Sequence, residues 1–196
     1  MTKHLILLGD SIFDNGWYVE PGQDDVTAHL ARKLAFLGWM LDMRAVDGSV
    51  VSDVVNQFSH EPISTPCTFV LSVGGNDALG HLDEILALSL ADFHGIKEGF
   101  RKRYTETLDF ILGYKQPLIV CTIYNPIFLE PEMQKLAEAG LSFFNDVITE
   151  EALRRKLPII DLREVCSAPE AFANPIEPSE VGGDWITDAI ISHLAK

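Results

Sequence analysis

The fold is decided by the stretch Leu5-Ile6-Leu7-Leu8-Gly9-Asp10-Ser11 near the start of the chain. Its four consecutive apolar residues, closed by a glycine turn, predict a short strand that is buried on both faces. Ligands bind at the carboxyl ends of the strands in open α/β sheets. A hydroxyl that directly follows such a strand, here that of Ser11, is therefore a candidate nucleophile.

The Gly-Asp-Ser sequence also has a purely structural interpretation. Gly9 can relieve backbone strain in an ordinary turn, and Asp10 or Ser11 can cap a helix that follows it. A tripeptide alone does not separate the two interpretations, because such short motifs recur by chance. The rest of the chain has to decide between them.

Apolar runs and helical periodicities alternate along the remaining sequence. Four further apolar runs predict strands over 41–46, 68–73, 117–124 and 157–162. Helical spacing predicts helices from Asp24 or Asp25 to 37, and over 50–58, 132–155 and 179–194. Another helix is predicted over 82–113, with a break near Gly95 or Gly99 because glycine weakens helices.

This alternation predicts an α/β fold of three layers, α/β/α, around a five-stranded parallel sheet. We expect the flavodoxin-like strand order 2-1-3-4-5, which puts the first strand beside the point where the order reverses. Five strands are too few to close an eight-stranded barrel. The length of 196 residues fits one domain over 1–196.

The charge balance is strongly acidic. Scattered along the chain are 29 acidic and 15 basic residues, which give a formal net charge of −14. Neither nucleic acid nor an anionic membrane is therefore expected as a partner. No apolar run approaches the ~20 residues that cross a bilayer, and the start of the chain shows no secretory signal. We expect a cytoplasmic protein.

Three cysteines, Cys67, Cys121 and Cys166, lie in or beside apolar runs and far apart in the sequence. Their odd number and wide spacing favour buried structural thiols in a reducing compartment. There is no CxxC pair and no Cys/His cluster. We therefore expect no bound metal and no other cofactor.

Polar residues follow the first three predicted strands. Ser11 follows the first strand, Gly48 the second and Asn76 the third, so the predicted topology brings all three to one edge of the sheet. Attack on an ester carbonyl needs hydrogen-bond donors where the oxyanion forms. The backbone N–H groups of Ser11 and Gly48 and the Asn76 amide are candidate donors, and the absence of a side chain at Gly48 lets the backbone approach a substrate closely.

These blocks resemble the GDSL or SGNH hydrolase family over nearly the whole chain. Gly9-Asp10-Ser11 is similar to the first block of that family, Gly48 to the second and Gly74-Gly75-Asn76-Asp77 to the third. The resemblance implies a hydrolase in which the serine is the nucleophile. It also implies an oxyanion hole made by the Ser11 N–H, the Gly48 N–H and the Asn76 side chain.

The last block departs from the family pattern. The family has Asp-x-x-His, where this chain has Asn174-Pro175-Ile176-Glu177. Glu177 thus replaces the histidine, and a buried carboxylate with a raised pKa can accept a serine proton. We predict Glu177 as an atypical base, supported by Asn174 and Asp10. His81, the one histidine expected near this edge, is the alternative base.

The preferred interpretation is a serine hydrolase that cleaves an ester, thioester or similar acyl bond of a small molecule through a Ser11 acyl-enzyme. A protein of the same fold that binds an acyl group or a sugar without turnover is the alternative. A third possibility is a metal-dependent phosphatase, with Mg²⁺ held by Asp10, Asp14 and Asp77 at the strand edge. The Asp-x-Asp spacing expected of one such phosphatase class is missing.

Overall fold

Five parallel strands form the central sheet. The computed structural model describes residues 2–59, 62–81 and 90–194, except for the side chains of 90–93. The strands are β1 (Lys3–Gly9), β2 (Trp39–Met43), β3 (Cys67–Ser72), β4 (Leu118–Cys121) and β5 (Ile159–Ile160). Their order in the sheet is β2-β1-β3-β4-β5, and each pairing is parallel. The predicted sheet and its strand order are confirmed.

Helices flank this sheet. In the described ranges the α-helices are α1 (Val26–Leu37), α2 (Gly75–Gly80), α3 (Leu90–Leu112), α4 (Pro131–Arg155), α5 (Leu162–Val165) and α6 (Glu180–Leu194). Two 3₁₀ helices span Val51–Phe58 and Pro169–Ala171. Asp25, one of the two predicted caps, begins α1 by accepting a hydrogen bond from the Ala28 N–H at 2.7 Å.

The prediction of a break near Gly95 or Gly99 is wrong, because α3 runs through both glycines. Glycine costs a helix interior about 1 kcal/mol relative to alanine, and the burial of side chains such as Phe100 and Tyr104 outweighs that cost. The part of this predicted helix over 82–89 lies outside the described residues. The segment predicted as a helix over 50–58 is a 3₁₀ helix.

The second strand begins earlier than predicted. Gly38 adopts the left-handed conformation, with φ 71°, and ends α1, so that Trp39 at once pairs with Lys3 of β1. β2 is an edge strand whose residues are half-buried or exposed. The prediction of 41–46 misses Trp39 and Met40 at the start of β2, and beyond Met43 the Arg44 and Val46 N–H groups still donate to the Leu7 and Gly9 carbonyls, both at 3.0 Å.

The core lies on both faces of the sheet. Leu5 and Leu7 of β1 pack into the cluster that includes α1 and α6, whereas Ile6 and Leu8 pack into the cluster that includes α3 and α4. Side chains alternate between the faces of a strand, so a strand covered on both faces must be apolar throughout. This explains the uninterrupted apolar run that opens the sequence.

The three cysteines are free thiols buried in this core. Burial raises the pKa of Cys166 to about 12, so this thiol stays protonated near neutral pH. Within the described ranges, no helix combines the length and the apolar character needed to cross a membrane.

The turn after β1 depends on Gly9, and this dependence can be measured. Gly9 has φ 132°, and a Cβ added there would lie 1.7 Å from the Ser72 carbonyl oxygen. Gly9→Ala is expected to lower the free energy of unfolding by ~3 kcal/mol or more, measured by urea denaturation. Gly22→Ala is the control, because Gly22 also has a positive φ of 94° but nothing lies within 4 Å of its added Cβ. Equal losses in both variants would contradict the importance of the Gly9–Ser72 contact.

Candidate active site

Ser11 lies in the turn that follows β1. The Asp10 N–H donates to the Ser72 carbonyl at 3.2 Å, which extends the β1–β3 pairing to the point where the chain turns. The Asp10 carbonyl then accepts from the N–H groups of Phe13 and Asp14, both at 3.1 Å. Ser11 is only 8% exposed. Its position at the carboxyl edge of the sheet is therefore set by hydrogen bonds to the backbone on either side of it.

The side chain of Glu177 lies against Ser11. Ser11 Oγ donates a hydrogen bond to Glu177 Oε1 at 3.1 Å. Glu177 is 6% exposed, and its second oxygen, Oε2, is buried with no hydrogen-bond partner among the described residues. The structure thus brings together the predicted nucleophile and the predicted base, with one carboxylate oxygen left to accept a further hydrogen bond.

Asn174 fixes the loop that carries Glu177. Asn174 Oδ1 accepts hydrogen bonds from the backbone N–H groups of Ile176 and Glu177, both at 3.0 Å. The Ala173 N–H also donates to the Glu177 carbonyl at 2.9 Å. The Asn174 amide therefore supports the backbone of residue 177.

Two further side chains hold this loop, and sequence reasoning missed both. The Tyr124 hydroxyl donates to the Ile176 carbonyl at 2.6 Å. Asn15 Nδ2 donates to the Pro178 carbonyl at 3.1 Å, while its Oδ1 accepts from the Val26 N–H at 2.9 Å. Tyr124 and Asn15 bind backbone groups that are distant in the sequence, so no local sequence pattern predicts these contacts.

Burial governs the electrostatics of Glu177. It raises the pKa of Glu177 from its ordinary 4.5 to about 7. The hydrogen bond from Ser11 lowers this pKa and the charge of Asp47 raises it, and both effects are smaller than that of burial. Glu177 consequently changes its charge near neutral pH, which suits a group that takes up and returns a proton.

Asp10 lies on the same cavity and has a similar environment. Burial raises its pKa from 3.8 to about 8; the hydrogen bond from the Ile12 N–H opposes the shift, and the charges of Glu177 and Asp77 add to it. Asp10 Oδ1 accepts that Ile12 hydrogen bond at 3.2 Å. The carboxyl group of Asp10 thus braces the turn that presents Ser11.

Three donors predicted for the oxyanion hole are placed as follows. The backbone N–H groups of Ser11 and Gly48 have no protein acceptor among the described residues. Asn76 lies in the first turn of α2, and its Nδ2 donates to the Ser49 carbonyl at 3.0 Å. An amide nitrogen has two hydrogens, so this contact orients Asn76 and leaves one hydrogen for a ligand.

Gly48 is absent from the described wall of the Ser11 cavity. It has φ 79°, is exposed and lines a separate polar groove after β2. Two contacts tie its loop to the chain that follows Ser11: the Asp47 N–H donates to Asp14 Oδ2, and the Tyr18 hydroxyl donates to Asp47 Oδ2, both at 2.9 Å. Among the predicted site residues, Ser11, Asp10, Asn76 and Glu177 share one cavity, and Gly48 is positioned by a neighbouring loop.

His81 follows the last residue of α2. It is absent from the described wall of the Ser11 cavity, and so is any other histidine. Of the two predicted bases, Glu177 is the one that shares the cavity and a hydrogen bond with Ser11.

The three aspartates considered for Mg²⁺ are engaged elsewhere. Asp77 accepts from the Val51 N–H at 2.8 Å and pairs with Arg103 at 3.3 Å. Asp14 accepts from the Asp47 N–H, and Asp10 braces its own turn. In the described part of the chain they do not form a group able to hold a metal ion. This arrangement does not support a metal-dependent phosphatase.

The parallel sheet of order β2-β1-β3-β4-β5, with a serine at the carboxyl edge of the interior strand β1, places the chain in the class of three-layer α/β proteins. Within that class, it belongs to the GDSL-like lipase/acylhydrolase family, whose model matches residues 7–182. At the level of the family, the chain is therefore an acyl hydrolase of the esterase or lipase type. A comparison with curated protein sequences gave no match.

Solved structures share this fold at low sequence identity. A phospholipase A1 from Streptomyces albidoflavus has a TM-score of 0.73 at 17% identity, with 97% of this chain and 98% of that chain covered. An extracellular lipase from Streptomyces rimosus has a TM-score of 0.72 at 16% identity, with coverages of 98% and 99%. An acetyl xylan esterase variant from Geobacillus stearothermophilus has a TM-score of 0.66 at 16% identity, with coverages of 98% and 94%.

The raised pKa of Glu177 has a consequence for stability. The folded protein holds this proton more tightly than the unfolded chain does, so stability falls as the pH rises from about 4.5 to about 7. Glu177→Gln removes the titration and keeps the shape of the side chain. Its Tm should exceed that of the wild type at about pH 8, and the difference should shrink toward about pH 5.

The control for this measurement is Glu170→Gln, which changes an exposed residue of the preceding segment. Its Tm difference from the wild type should not depend on pH in this range. A pH-independent difference for Glu177→Gln as well would show that the Glu177 carboxyl is not destabilised by burial.

Proposed function

We propose that this protein is a serine acyl hydrolase in which Ser11 and Glu177 are the catalytic pair. The observation that carries the proposal is the 3.1 Å hydrogen bond from Ser11 Oγ to a carboxylate oxygen that is buried in the same cavity. Its substrate is a small-molecule ester, thioester or similar acyl compound.

The first half of the reaction forms an ester on Ser11. Ionised Glu177 accepts the Ser11 proton as Oγ attacks the carbonyl carbon of the substrate. Negative charge then develops on the carbonyl oxygen, where the Ser11 N–H and the free hydrogen of Asn76 stabilise it. The Gly48 N–H is the third donor of this proposal and comes from the adjoining loop, which Asn76 contacts at the Ser49 carbonyl. Collapse of this intermediate breaks the bond to the leaving group, which takes its proton from Glu177.

The second half releases the acyl group. A water molecule donates a proton to the again ionised Glu177 and attacks the Ser11 ester. The fatty or other carboxylic acid leaves, and Ser11 recovers its proton from Glu177. The unpartnered Oε2 of Glu177 supports this step, because it can accept a hydrogen bond from the attacking water while Oε1 faces Ser11.

A glutamate where the family pattern has a histidine favours one competing function, which is binding of an acyl group without turnover. A glutamate with an ordinary pKa is a much weaker base than imidazole, and a member of the fold without turnover would bind an acyl group in the same cavity. The raised pKa of Glu177, about 7, argues for the enzyme, since it brings the strength of the carboxylate base close to that of histidine.

Glu177→Gln tests the base. It should lower kcat/KM for an activated ester by about 10² to 10⁴-fold, because glutamine cannot accept the Ser11 proton. In the wild type, kcat/KM should fall on the acid side as Glu177 is protonated, with a midpoint near pH 7. Ser11→Ala should remove turnover and labelling by a fluorophosphonate, with the circular dichroism spectrum unchanged.

Two further variants sharpen the assignment. Glu170→Gln changes an exposed carboxylate and should retain wild-type kcat/KM. Asn174→Asp combined with Glu177→His rebuilds the family pair and should give an acid limb that is the titration of an imidazole. Full activity of Glu177→Gln would rule out the carboxylate base, and full activity of Ser11→Ala would rule out the covalent mechanism.

Asn76→Ala tests the oxyanion hole. It should lower kcat by about 10² to 10³-fold and leave KM nearly unchanged, because the lost hydrogen bond matters when the oxyanion forms. Initial rates over a range of ester concentrations separate the two constants. A change in KM alone would make Asn76 a residue that binds the substrate in its ground state.

A further inference from the structure

The wall of the Ser11 cavity has two chemically different parts. The polar side chains belong to the catalytic surroundings: Asp10, Ser11, Asn76, Glu177 and Tyr124, whose hydroxyl is bound to the Glu177 loop. The rest of the described wall consists of apolar side chains and glycine. A ligand that continues beyond Ser11 therefore meets a surface without side-chain partners for hydroxyl or phosphate groups.

Helix α4 supplies much of this apolar part. Its lining residues are Leu136, Ala137, Gly140 and Leu141, which the helical repeat places on one face. The two positions nearest the middle of this face are the smallest, alanine and glycine. The volume of the cavity therefore depends on the absence of larger side chains at Ala137 and Gly140.

We infer that this part of the cavity binds the acyl chain of the substrate, and that Gly140 and Ala137 set the chain length it accepts. The inference rests on the proposed function, because it follows the chain outward from the carbon that Ser11 attacks. Methylene groups gain free energy on leaving water for such a wall, whereas a sugar or a phosphate would lose its hydrogen bonds there.

The size of the cavity allows more than an acetyl group. Its volume is about 80 Å³, compared with about 150 Å³ for an engineered apolar cavity that binds the six carbons of benzene. On this scale the cavity encloses about three carbon atoms of an acyl chain, whereas an acetyl group has a single methyl carbon beyond its carbonyl.

Gly140 is the determinant with the clearest physical argument. It is buried in the interior of α4, where glycine is the least favourable residue apart from proline. Alanine or leucine is more favourable than glycine in a helix interior, and Gly140 lies in the wall of the cavity. Glycine at position 140 therefore lowers the stability of the helix and increases the volume that is open to a ligand.

Esters of p-nitrophenol test the inference. Each methylene that the cavity buries should raise kcat/KM by about fourfold, so hexanoate should exceed acetate by at least tenfold in the wild type. Gly140→Leu and Ala137→Leu should each lower the hexanoate-to-acetate ratio by tenfold or more. Ala139→Leu adds the same side chain on an exposed part of α4 and should keep the wild-type ratio.

The outcomes separate this inference from the proposed function. An unchanged ratio in folded Gly140→Leu and Ala137→Leu, or a wild type that does not prefer hexanoate to acetate, would overturn the acyl-chain site while turnover itself upholds the hydrolase. If the wild type hydrolyses neither ester, the proposed function fails, and binding of heptan-2-one, measured by calorimetry on the same proteins, tests the cavity. Heptan-2-one should bind the wild type and Ala139→Leu at least tenfold more tightly than Gly140→Leu, and equal affinities would overturn the inference.

Discussion

The close approach of the chain at Gly9 is the constraint on which the site depends. The Gly9 N–H donates to Gln57 Oε1 at 2.9 Å, and Gln57 Nε2 returns a hydrogen bond to the Gly9 carbonyl at 2.7 Å. On the other side, a Cβ at Gly9 would overlap the Ser72 carbonyl. The end of β1 is thus clamped between the 3₁₀ helix that contains Gln57 and the end of β3. Ser11 and Asn76 follow the ends of β1 and β3, so the contacts of Gly9 with Gln57 and Ser72 fix their relative position.

The charge state of Glu177 shows how much depends on its neighbours. Glu151 and Glu177 are both 6% exposed. Burial would raise the pKa of Glu151 too, but hydrogen bonds from Arg154 and Arg155 lower it to about 2. In the described part of the chain, the Glu177 carboxylate accepts a hydrogen bond from the Ser11 hydroxyl and is paired with no cation, and its pKa is about 7. Two glutamates with the same exposed fraction therefore differ in charge: the pKa of one is about 2, and that of the other is close to neutral pH.

The sequence predicted the sheet better than it predicted the site. The apolar run of β1 leaves no other arrangement than burial on both faces, and the alternation with helices then determines a parallel sheet. The start of edge strand β2 was missed because its pairing with Lys3 begins at Trp39, directly after the helix cap Gly38 and with no loop between helix and strand. The contact between Ser11 and Glu177 was expected from a family resemblance, since no local pattern joins residues 166 positions apart. The hydrogen bonds by which Asn15 and Tyr124 hold the Glu177 loop could not be predicted from the sequence, because their acceptors are backbone carbonyls.

The support of Glu177 through its backbone has a consequence for how such a site can change during evolution. A histidine base has two different nitrogens, and a partner must hold the correct tautomer and ring orientation. The two oxygens of a carboxylate are chemically equivalent, so no tautomer has to be selected. In the proposed mechanism, residue 174 therefore does not have to be a charged partner of the base. Asn174 instead holds the loop by accepting hydrogen bonds from the Ile176 and Glu177 N–H groups. The residues at positions 174 and 177 are then expected to change together. A histidine at 177 alone would have no acceptor for its second nitrogen at Asn174 Oδ1, because that oxygen already binds two backbone N–H groups.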